Sequence, residues 1–268
     1  MQDSTGIRPA NLPMTAATVI EGYNRVLMAS KWAWMLAQNR SDENGYKDLD
    51  WIPHGLNLDT FKPVDRAYAR SGWGVGDEEL VVGVVMANQE RKYWPVVLEA
   101  AAILGTRLWI HTDTLVPLPG RGYWNIGALA VEYGVGNRII YEDRELSDKE
   151  LAMRYSACDA TVVISGGEGF CYPMAESMAC GTPTVTGTYG AQAEIAAIAI
   201  HPAAYRITTQ HNVRWAVYRA EDLVEGIKAA LTLNRDHCRE RVEHLDWRKL
   251  GIVWQKWFKK GICDRGNC

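Results

Sequence analysis

The sequence predicts an α/β protein built around a doubly wound parallel sheet. The first observation is a set of short apolar runs rich in β-branched residues, typical of strands that are buried on both faces of a parallel sheet. The second is that helical patterns separate these runs, and this alternation favours parallel pairing. The third is the length of 268 residues, which can bury one full core and a small appendage.

The predicted elements follow one another in a regular order along the chain. Ahead of the sheet, the patterns predict a helix at 16–24, a strand at 25–29, a helix at 31–39 and a polar loop at 40–48. Strands of the sheet are predicted at 80–87, 107–111, 138–141, 160–165 and 183–186. Helices are predicted at 94–104, 124–133, 147–158, 173–180, 220–233 and 247–259. Ser147 and Glu150 form a capping-box pattern, which predicts that a helix begins there.

Composition excludes several classes of function. A net charge of −3 and a pI near 6.1 offer no basic face to nucleic acid, so no nucleic-acid partner is expected. The N-terminus lacks the basic start and apolar stretch of a secretory signal, and no uncharged run is long enough to span a bilayer. The six cysteines contain no Cys-x-x-Cys pair, which suits reduced thiols. We therefore expect a cytoplasmic protein, and peripheral attachment to a membrane stays open.

Two carboxylates, Glu168 and Glu176, are the most informative feature of the chain. The strand at 160–165 should end at two glycines, and Pro173 suits the first turn of a helix. Glu168 then lies in the loop that leaves the strand, where open parallel sheets bind ligands. The pair can accept hydrogen bonds from two sets of hydroxyls, such as those of a nucleotide sugar, each worth roughly 1.5–3 kcal/mol. The alternative is that Glu176 caps or solvates a helix start.

Two adjacent cations form the second candidate site. Arg91 and Lys92 come just after the strand predicted at 80–87. The planar guanidinium and the compact ammonium both suit the oxygens of a diphosphate. The alternative is that both side chains are solvated at a junction between loop and helix.

No metal site is predicted. Asp48 and Asp50 form an Asp-x-Asp pattern, but they lie in a polar loop. His237 and His244 are two helical turns apart, which makes a poor chelate.

The segment from Glu168 to Glu176 reads Glu-Gly-Phe-Cys-Tyr-Pro-Met-Ala-Glu and is followed by Ser-Met-Ala-Cys-Gly-Thr-Pro-Thr-Val. It resembles the Glu-x7-Glu segment of retaining glycosyltransferases with the GT-B fold, of the family 4 type (glycosyl transferases group 1). The resemblance extends to residues 51–63, 88–92 and 146–159 and covers roughly residues 20–258. It departs at Cys171 and Tyr172, where the family more often has Gly and Leu.

The resemblance implies a Rossmann-like sheet, namely the C-terminal domain of the GT-B fold, with a partial N-terminal domain remnant. It implies transfer of a sugar from a nucleoside diphosphate sugar with retention of configuration, and no cofactor or metal. Glu168, Arg91 and Lys92 are the implied catalytic residues, with the two cations on the diphosphate. The implied donor-binding residues are Glu176 on the ribose, Gly169 and Phe170 on the sugar through their amides, and Asn88, His111, Thr112, Ile140, Tyr141, Cys171 and Tyr172.

The predicted domain organisation departs from the family in length. A GT-B enzyme needs two halves of about 100–200 residues each, and only about 60 residues precede the linker. We predict a remnant of the N-terminal acceptor domain with the linker at 1–62, the nucleotide-sugar-binding domain at 63–246, and a C-terminal helix that crosses back to the N-terminal part at 247–268. The chain is then a fragment, a reduced protein, or one that works with a partner.

Two functions follow from these expectations. The first is a glycosyltransferase that binds a nucleotide sugar and an acceptor, which is a glycan, a lipid or a small molecule, with a partner chain able to supply the missing N-terminal half. The alternative is a non-catalytic nucleotide-sugar-binding module or a subunit of a two-chain glycosyltransferase.

Overall fold

The computed structural model describes residues 26–44, 49–119, 122–142, 144–208 and 213–263. The described chain begins with strand β1 (Val26–Met28), helix α1 (Lys31–Asn44) and strand β2 (Leu49–Trp51). The two strands pair in parallel, with Val26 opposite Leu49. These elements form a small strand–helix–strand unit ahead of the main sheet.

This unit corrects one sequence prediction and adds one strand. The polar loop predicted at 40–48 is wrong for residues 40–44, because α1 continues to Asn44. Strand β2 was not predicted, because its three residues are too few to show a periodic pattern. The helix predicted at 16–24 and residues 45–48 lie outside the described residues.

The main sheet has six strands, and every neighbouring pair is parallel. Its strands are β3 (Val81–Val85), β4 (Arg107–His111), β5 (Ile139–Glu142), β6 (Ala160–Val163), β7 (Thr184–Gly187) and β8 (Ile198–Ile200). Their order is β5-β4-β3-β6-β7-β8. The chain therefore runs outward from β3 to β5, returns to place β6 beside β3, and runs outward again. This confirms the doubly wound sheet, with its topological switch point between β3 and β6.

Helices flank the sheet, and a hairpin follows it. The helices are α2 (Arg66–Ser71), α3 (Trp94–Leu104), α4 (Ile126–Glu132), α5 (Asp148–Ala157), α6 (Tyr172–Ala179), α7 (Ala220–Ala230), α8 (Arg235–Glu240) and α9 (Trp247–Cys263). The predicted capping box is confirmed at the start of α5, with Ser147 and Glu150 bonded reciprocally. Strands β9 (Ala204–Ile207) and β10 (Arg214–Val217) pair in an antiparallel hairpin, which the sequence patterns did not predict. No described helix is both long and apolar enough to cross a membrane.

The core lies between the central strands and the helices. Every residue of β6 and β7 is buried, as are Trp94, Trp109 and Tyr155. Gly83 lies at the centre of β3, where an added Cβ would come within 2.8 Å of Thr161 and 3.1 Å of Trp109. Close packing of the sheet against its neighbours therefore requires glycine at this position.

A buried arginine joins the elements at the start of the central strands. The fully buried Arg70 guanidinium donates to the carbonyls of Gly76 at 2.7 Å, Glu79 at 2.8 Å and Ala157 at 2.9 Å, and to the carboxylate of Asp159 at 2.8 Å. Asp159 in turn accepts from the Val81 amide at 2.8 Å. One side chain thus links α2 to the entries of β3 and β6.

Replacing Arg70 with Leu should cost roughly 3–5 kcal/mol in the free energy of unfolding, because buried carbonyls and Asp159 lose their charged donor. Arg66 also pairs with Asp159, but its side chain is 38% exposed. Arg66→Leu is therefore the matched control and should cost about 1 kcal/mol or less. Urea denaturation measures the unfolding free energy of both variants. Equal losses would contradict the conclusion that Arg70, and not Arg66, joins α2 to the central strands.

Candidate functional site

The loops that follow β3 and β6 meet at the switch point of the sheet. Arg91 and Lys92 lie in the first loop, and Glu168 lies in the second. The Gly166 amide donates to the Arg91 carbonyl at 2.8 Å, and Lys92 forms an isolated antiparallel bridge with Ser165. The backbone therefore holds the two loops side by side.

The Glu168 carboxylate binds both cations through one oxygen. Its Oε1 accepts from Arg91 Nη1 and from Lys92 Nζ. Arg91 Nη1 also donates to Ser165 Oγ at 3.0 Å and to the Gly167 carbonyl at 3.1 Å. The side chains of Lys92 and Glu168 are only 7% and 9% exposed. The predicted catalytic residues are thus brought together in a nearly dry setting.

Electrostatics explain the ionisation of Glu168. Burial acting alone would raise the pKa of this carboxyl group, but the charges of Lys92 and Arg91 and their hydrogen bonds outweigh it and lower the pKa. The carboxylate is therefore negative at neutral pH and opposes the two cations.

Gln192 supports the Glu168 loop and was missed by the sequence analysis. Its buried side chain accepts from the Glu168 amide at 3.1 Å and donates to the Tyr189 carbonyl at 2.6 Å. The Ala191 amide donates to the Glu168 carbonyl at 3.0 Å. Gln192 follows β7 in the chain, so no local pattern connects it with Glu168.

The β9–β10 hairpin covers the same two loops. Trp215 packs on Gly166, where an added Cβ would lie 2.7 Å from the indole ring. The Ala216 amide donates to the Gly166 carbonyl at 3.1 Å. Arg206 pairs with Glu90 at 3.1 Å and lies 5.0 Å over the Trp215 ring. The hairpin therefore contacts the loop of Arg91 and the loop of Glu168 together.

Glu176 lies in α6, and in the described structure its carboxylate forms no ion pair. Its Oε2 accepts from the Tyr155 hydroxyl at 2.8 Å. Burial raises the pKa of Glu176 to about 7, and the Tyr155 hydrogen bond offsets only part of that rise. The two glutamates of this segment therefore have pKa values shifted in opposite directions.

Cys171 adopts a backbone conformation that favours glycine. Its φ is 83°, the only positive φ of a non-glycine residue within the described ranges. The backbone here thus suits the Gly that the resemblance leads us to expect, and Cys171 carries the cost of a Cβ at positive φ. Burial raises the pKa of the Cys171 thiol to about 12, so the thiol stays protonated.

The residues beside Cys171 form an aromatic cluster with the segment after β2. The His54 ring is stacked on Tyr172 with centroids 5.4 Å apart and meets Phe170 edge-on at 5.2 Å. Gly169 is exposed, and an added Cβ there would meet nothing within 4 Å. The open space beside Gly169 leaves room for a ligand to approach the loop backbone.

A cleft of about 390 Å³ opens at the carboxyl ends of β3 and β4. Its lining residues are Val85, Met86, Ala87, His111, Thr112, Asp113, Arg144, Glu145 and Pro173. Two predicted donor-binding residues, His111 and Thr112, therefore line it. Ile140 and Tyr141 do not, because they lie within β5 and the loop after that strand contributes Arg144 and Glu145 instead.

Asn88 has a supporting place in the structure. Its side-chain amide donates to the carbonyls of Thr114 at 3.1 Å and Trp124 at 2.8 Å, and it accepts from the amides of Tyr123 at 3.1 Å and Trp124 at 2.8 Å. These four bonds use its full hydrogen-bonding capacity. The Asn88 side chain therefore holds Thr114, Tyr123 and Trp124 in place, and its part in donor binding stays a prediction.

In the described ranges, no three His, Cys, Asp or Glu side chains lie close enough together to hold a metal ion. Asp48, half of the Asp-x-Asp pattern, lies outside those ranges.

The chain is similar in sequence to a family of known proteins. A family model described as "Glycosyl transferases group 1" matches residues 65–244. The D-inositol 3-phosphate glycosyltransferase of Mycobacterium sp. (strain KMS) is 34% identical over 146 residues, covering 53% of this chain and 32% of the relative. The chain thus spans about a third of the length of the curated relatives it matches.

Solved structures share the fold. Sucrose-phosphate synthase from Thermosynechococcus elongatus has a TM-score of 0.73 at 22% identity, covering 94% of this chain and 61% of that one. Anabaena HepE, solved with UDP and glucose, has a TM-score of 0.70 at 15% identity, covering 92% of this chain and 66% of that one. This likeness confirms the expected GT-B, Rossmann-like architecture.

The strained conformation of Cys171 predicts an unusual order of stability. Cys171→Gly should be more stable than Cys171→Ala by about 1 kcal/mol, because only Gly relieves the cost of a Cβ at positive φ. Both variants lose the same Sγ atom, so the difference between their unfolding free energies measures the cost of a Cβ at this backbone conformation. Urea denaturation measures it, and an alanine variant as stable as the glycine variant would rule out the strain.

The raised pKa of Glu176 predicts a pH-dependent stability. Between its ordinary value of 4.5 and about 7, the folded chain holds this proton and the unfolded chain releases it. The stabilisation is therefore complete below pH 4.5 and is lost as the pH rises through 7. Relative to wild type, Glu176→Gln should gain about 2 kcal/mol in unfolding free energy between about pH 5 and about pH 8. If the difference in unfolding free energy between the two proteins is the same at both pH values, the prediction is wrong.

Proposed function

The chain belongs to the group 1 glycosyl transferases, and from this we propose that it transfers a sugar from a nucleoside diphosphate sugar to an acceptor with retention of anomeric configuration. The observation that carries the proposal is the meeting of Arg91, Lys92 and Glu168 at the switch point of the sheet. Ligands of doubly wound sheets bind there, at the carboxyl ends of the strands.

The two cations would hold the diphosphate of the donor. Arg91 is 31% exposed and Lys92 is 7% exposed, so Arg91 is partly open to solvent and Lys92 is buried. A guanidinium and an ammonium in a dry site bind phosphate oxygens more strongly than exposed cations do. The first turn of α6 adds a modest positive potential, since Pro173 borders the neighbouring cleft.

The remaining parts of the donor fit the surroundings of that pair. The sugar would bind beside Gly169, where the backbone is open, with Glu168 accepting from its hydroxyls. The ionised Glu176 carboxylate would accept hydrogen bonds from the ribose hydroxyls, which would replace its present hydrogen bond from Tyr155. The base would enter the cleft lined by His111 and Thr112.

The proposed chemistry follows from charge. As the bond from the anomeric carbon to the diphosphate oxygen breaks, negative charge develops on the leaving diphosphate. Arg91 and Lys92, already held in place, would stabilise that charge without reorganisation. The oxygen of an acceptor hydroxyl forms the new glycosidic bond, and its proton passes to an oxygen of the departing diphosphate. We propose that these cations supply this stabilisation without a metal ion, as the family resemblance implies.

The location that we propose is cytoplasmic. Cys158, Cys171, Cys180 and Cys238 are buried and free in the structure, consistent with a reducing compartment.

The second function that we propose as the alternative is a non-catalytic nucleotide-sugar-binding module or a subunit of a two-chain glycosyltransferase. Donor binding without turnover, with turnover restored by a partner chain, would establish this function. Hydrolysis or transfer of donor by the isolated chain would establish the enzyme.

The proposed function is tested by titration calorimetry with UDP, GDP and ADP. The wild type should bind at least one of them, and Lys92→Met should weaken that binding about 10- to 100-fold, because it removes a charged donor but keeps the apolar stem. Glu168→Gln should instead tighten binding of the sugar-free nucleotide about 10-fold, because the native carboxylate competes with the diphosphate for both cations.

The exposed Lys149→Met is the matched control and should bind as the wild type does. If the folded wild type binds none of the three nucleotides, the donor site is refuted. If Glu168→Gln weakens binding, Glu168 does not compete for the cations.

A further inference from the structure

The outer face of α9 carries a lysine stripe, which we define as the six residues Lys249, Ile252, Val253, Lys256, Lys259 and Lys260. Residues spaced by three, four and seven positions lie on one face of a helix. The apolar pair, 56% and 45% exposed, therefore lies among four lysines on a single surface.

The first turn attaches α9 to the rest of the chain. Leu250 is buried, while Trp254 is half-buried and stacks within the helix on Phe258, which is 55% exposed. The Trp247 amide donates to the Leu56 carbonyl at 3.2 Å, and the Trp247 ring packs on Gly55. The helix is therefore fixed at its start, and the lysine stripe is turned outward.

The stripe carries four lysines and no acidic residue. From Trp247 to Lys260 the sequence contains no Asp or Glu, although the whole chain has a net charge of −3. Arg248, outside the stripe, pairs with Asp246 at 2.6 Å and with Asp59 at 3.2 Å. In the described part of the chain, the structure records no ion pair for Lys256, Lys259 or Lys260.

We propose that the lysine stripe is a docking surface for an anionic lipid bilayer. The lysines would contact lipid phosphates, and Ile252 and Val253 would enter the headgroup region. Amphipathic helices that lie in a membrane interface combine apolar side chains with lysines in this way, and each basic residue adds attraction to anionic lipid. The exposed branched pair favours a bilayer over a nucleic acid, because a phosphate backbone offers apolar side chains no environment to enter.

The surface also has a defined position relative to the candidate site. Gly55 packs under Trp247 at the start of α9, and the preceding residue, His54, is stacked on Tyr172 of the Glu168–Glu176 segment. Docking through the stripe would therefore hold the site at a set distance from the lipid surface. The binding should be reversible, since the apolar contribution is small and the electrostatic part is screened by salt.

The test is co-sedimentation of the full chain with vesicles of phosphatidylcholine alone and with about 30% phosphatidylglycerol. The wild type should bind only the anionic vesicles, and raising NaCl from about 0.1 M to about 0.5 M should release it. The triple variant K256E/K259E/K260E should lower the partition coefficient about 100-fold, and I252S/V253S about 10-fold.

The matched control is K62E/K149E/K228E, which changes the net charge equally at exposed lysines outside the stripe. It should retain most of the binding, and thermal unfolding should show all variants folded. Failure of the wild type to bind anionic vesicles would overturn the proposal, as would equal losses in the two triple variants. Binding of a polyuridylate RNA in place of vesicles, or a self-association abolished by I252S/V253S without vesicle binding, would overturn it as well.

Discussion

The contact of Glu168 with Arg91 and Lys92 is the constraint on which the rest of the site depends. Charges held at under one-tenth exposure lose their hydration and are stable only in close, fully bonded geometry. That geometry requires two loops from strands far apart in sequence to stay in register. The bridge between Lys92 and Ser165 joins the two loops, and the Gln192 side chain and the Trp215 ring restrict the Glu168 loop. The support is extensive because loose loops would leave a buried charge unpaired.

The two glutamates of one short segment show how neighbours decide the state of a carboxyl group. Both are largely buried, and burial alone raises the pKa of each. Glu168 faces two cations and its pKa falls, while Glu176 has a phenol as its partner and its pKa rises to about 7. The segment therefore contains one carboxylate that is charged at neutral pH and a second whose pKa is about 7.

The part of the chain before the sheet is tied to the site and to the last helix at adjacent positions. His54 contacts the aromatic residues beside Cys171, and Gly55 accommodates Trp247. The side chain of Glu194, close to Gln192 in the chain, accepts from the Trp32 amide at the start of α1 at 2.6 Å. The small N-terminal unit and α9 are therefore attached to the elements that build the site, although the predicted boundaries at residues 62 and 246 and the crossing-back of the last helix stay predictions.

The sequence by itself determined the doubly wound sheet, the capping box of α5 and the loop positions of Glu168, Arg91 and Lys92, because β-branched runs, helix caps and glycine or proline stops are local signals. Only the tertiary structure decided what surrounds them. Gln192, Trp215 and Tyr155 act on residues 21 to 49 positions away in the chain, and such contacts leave no periodic pattern. The same reason explains why Asn88 supports a loop, why Ile140 and Tyr141 lie outside the cleft, and why β2 was missed.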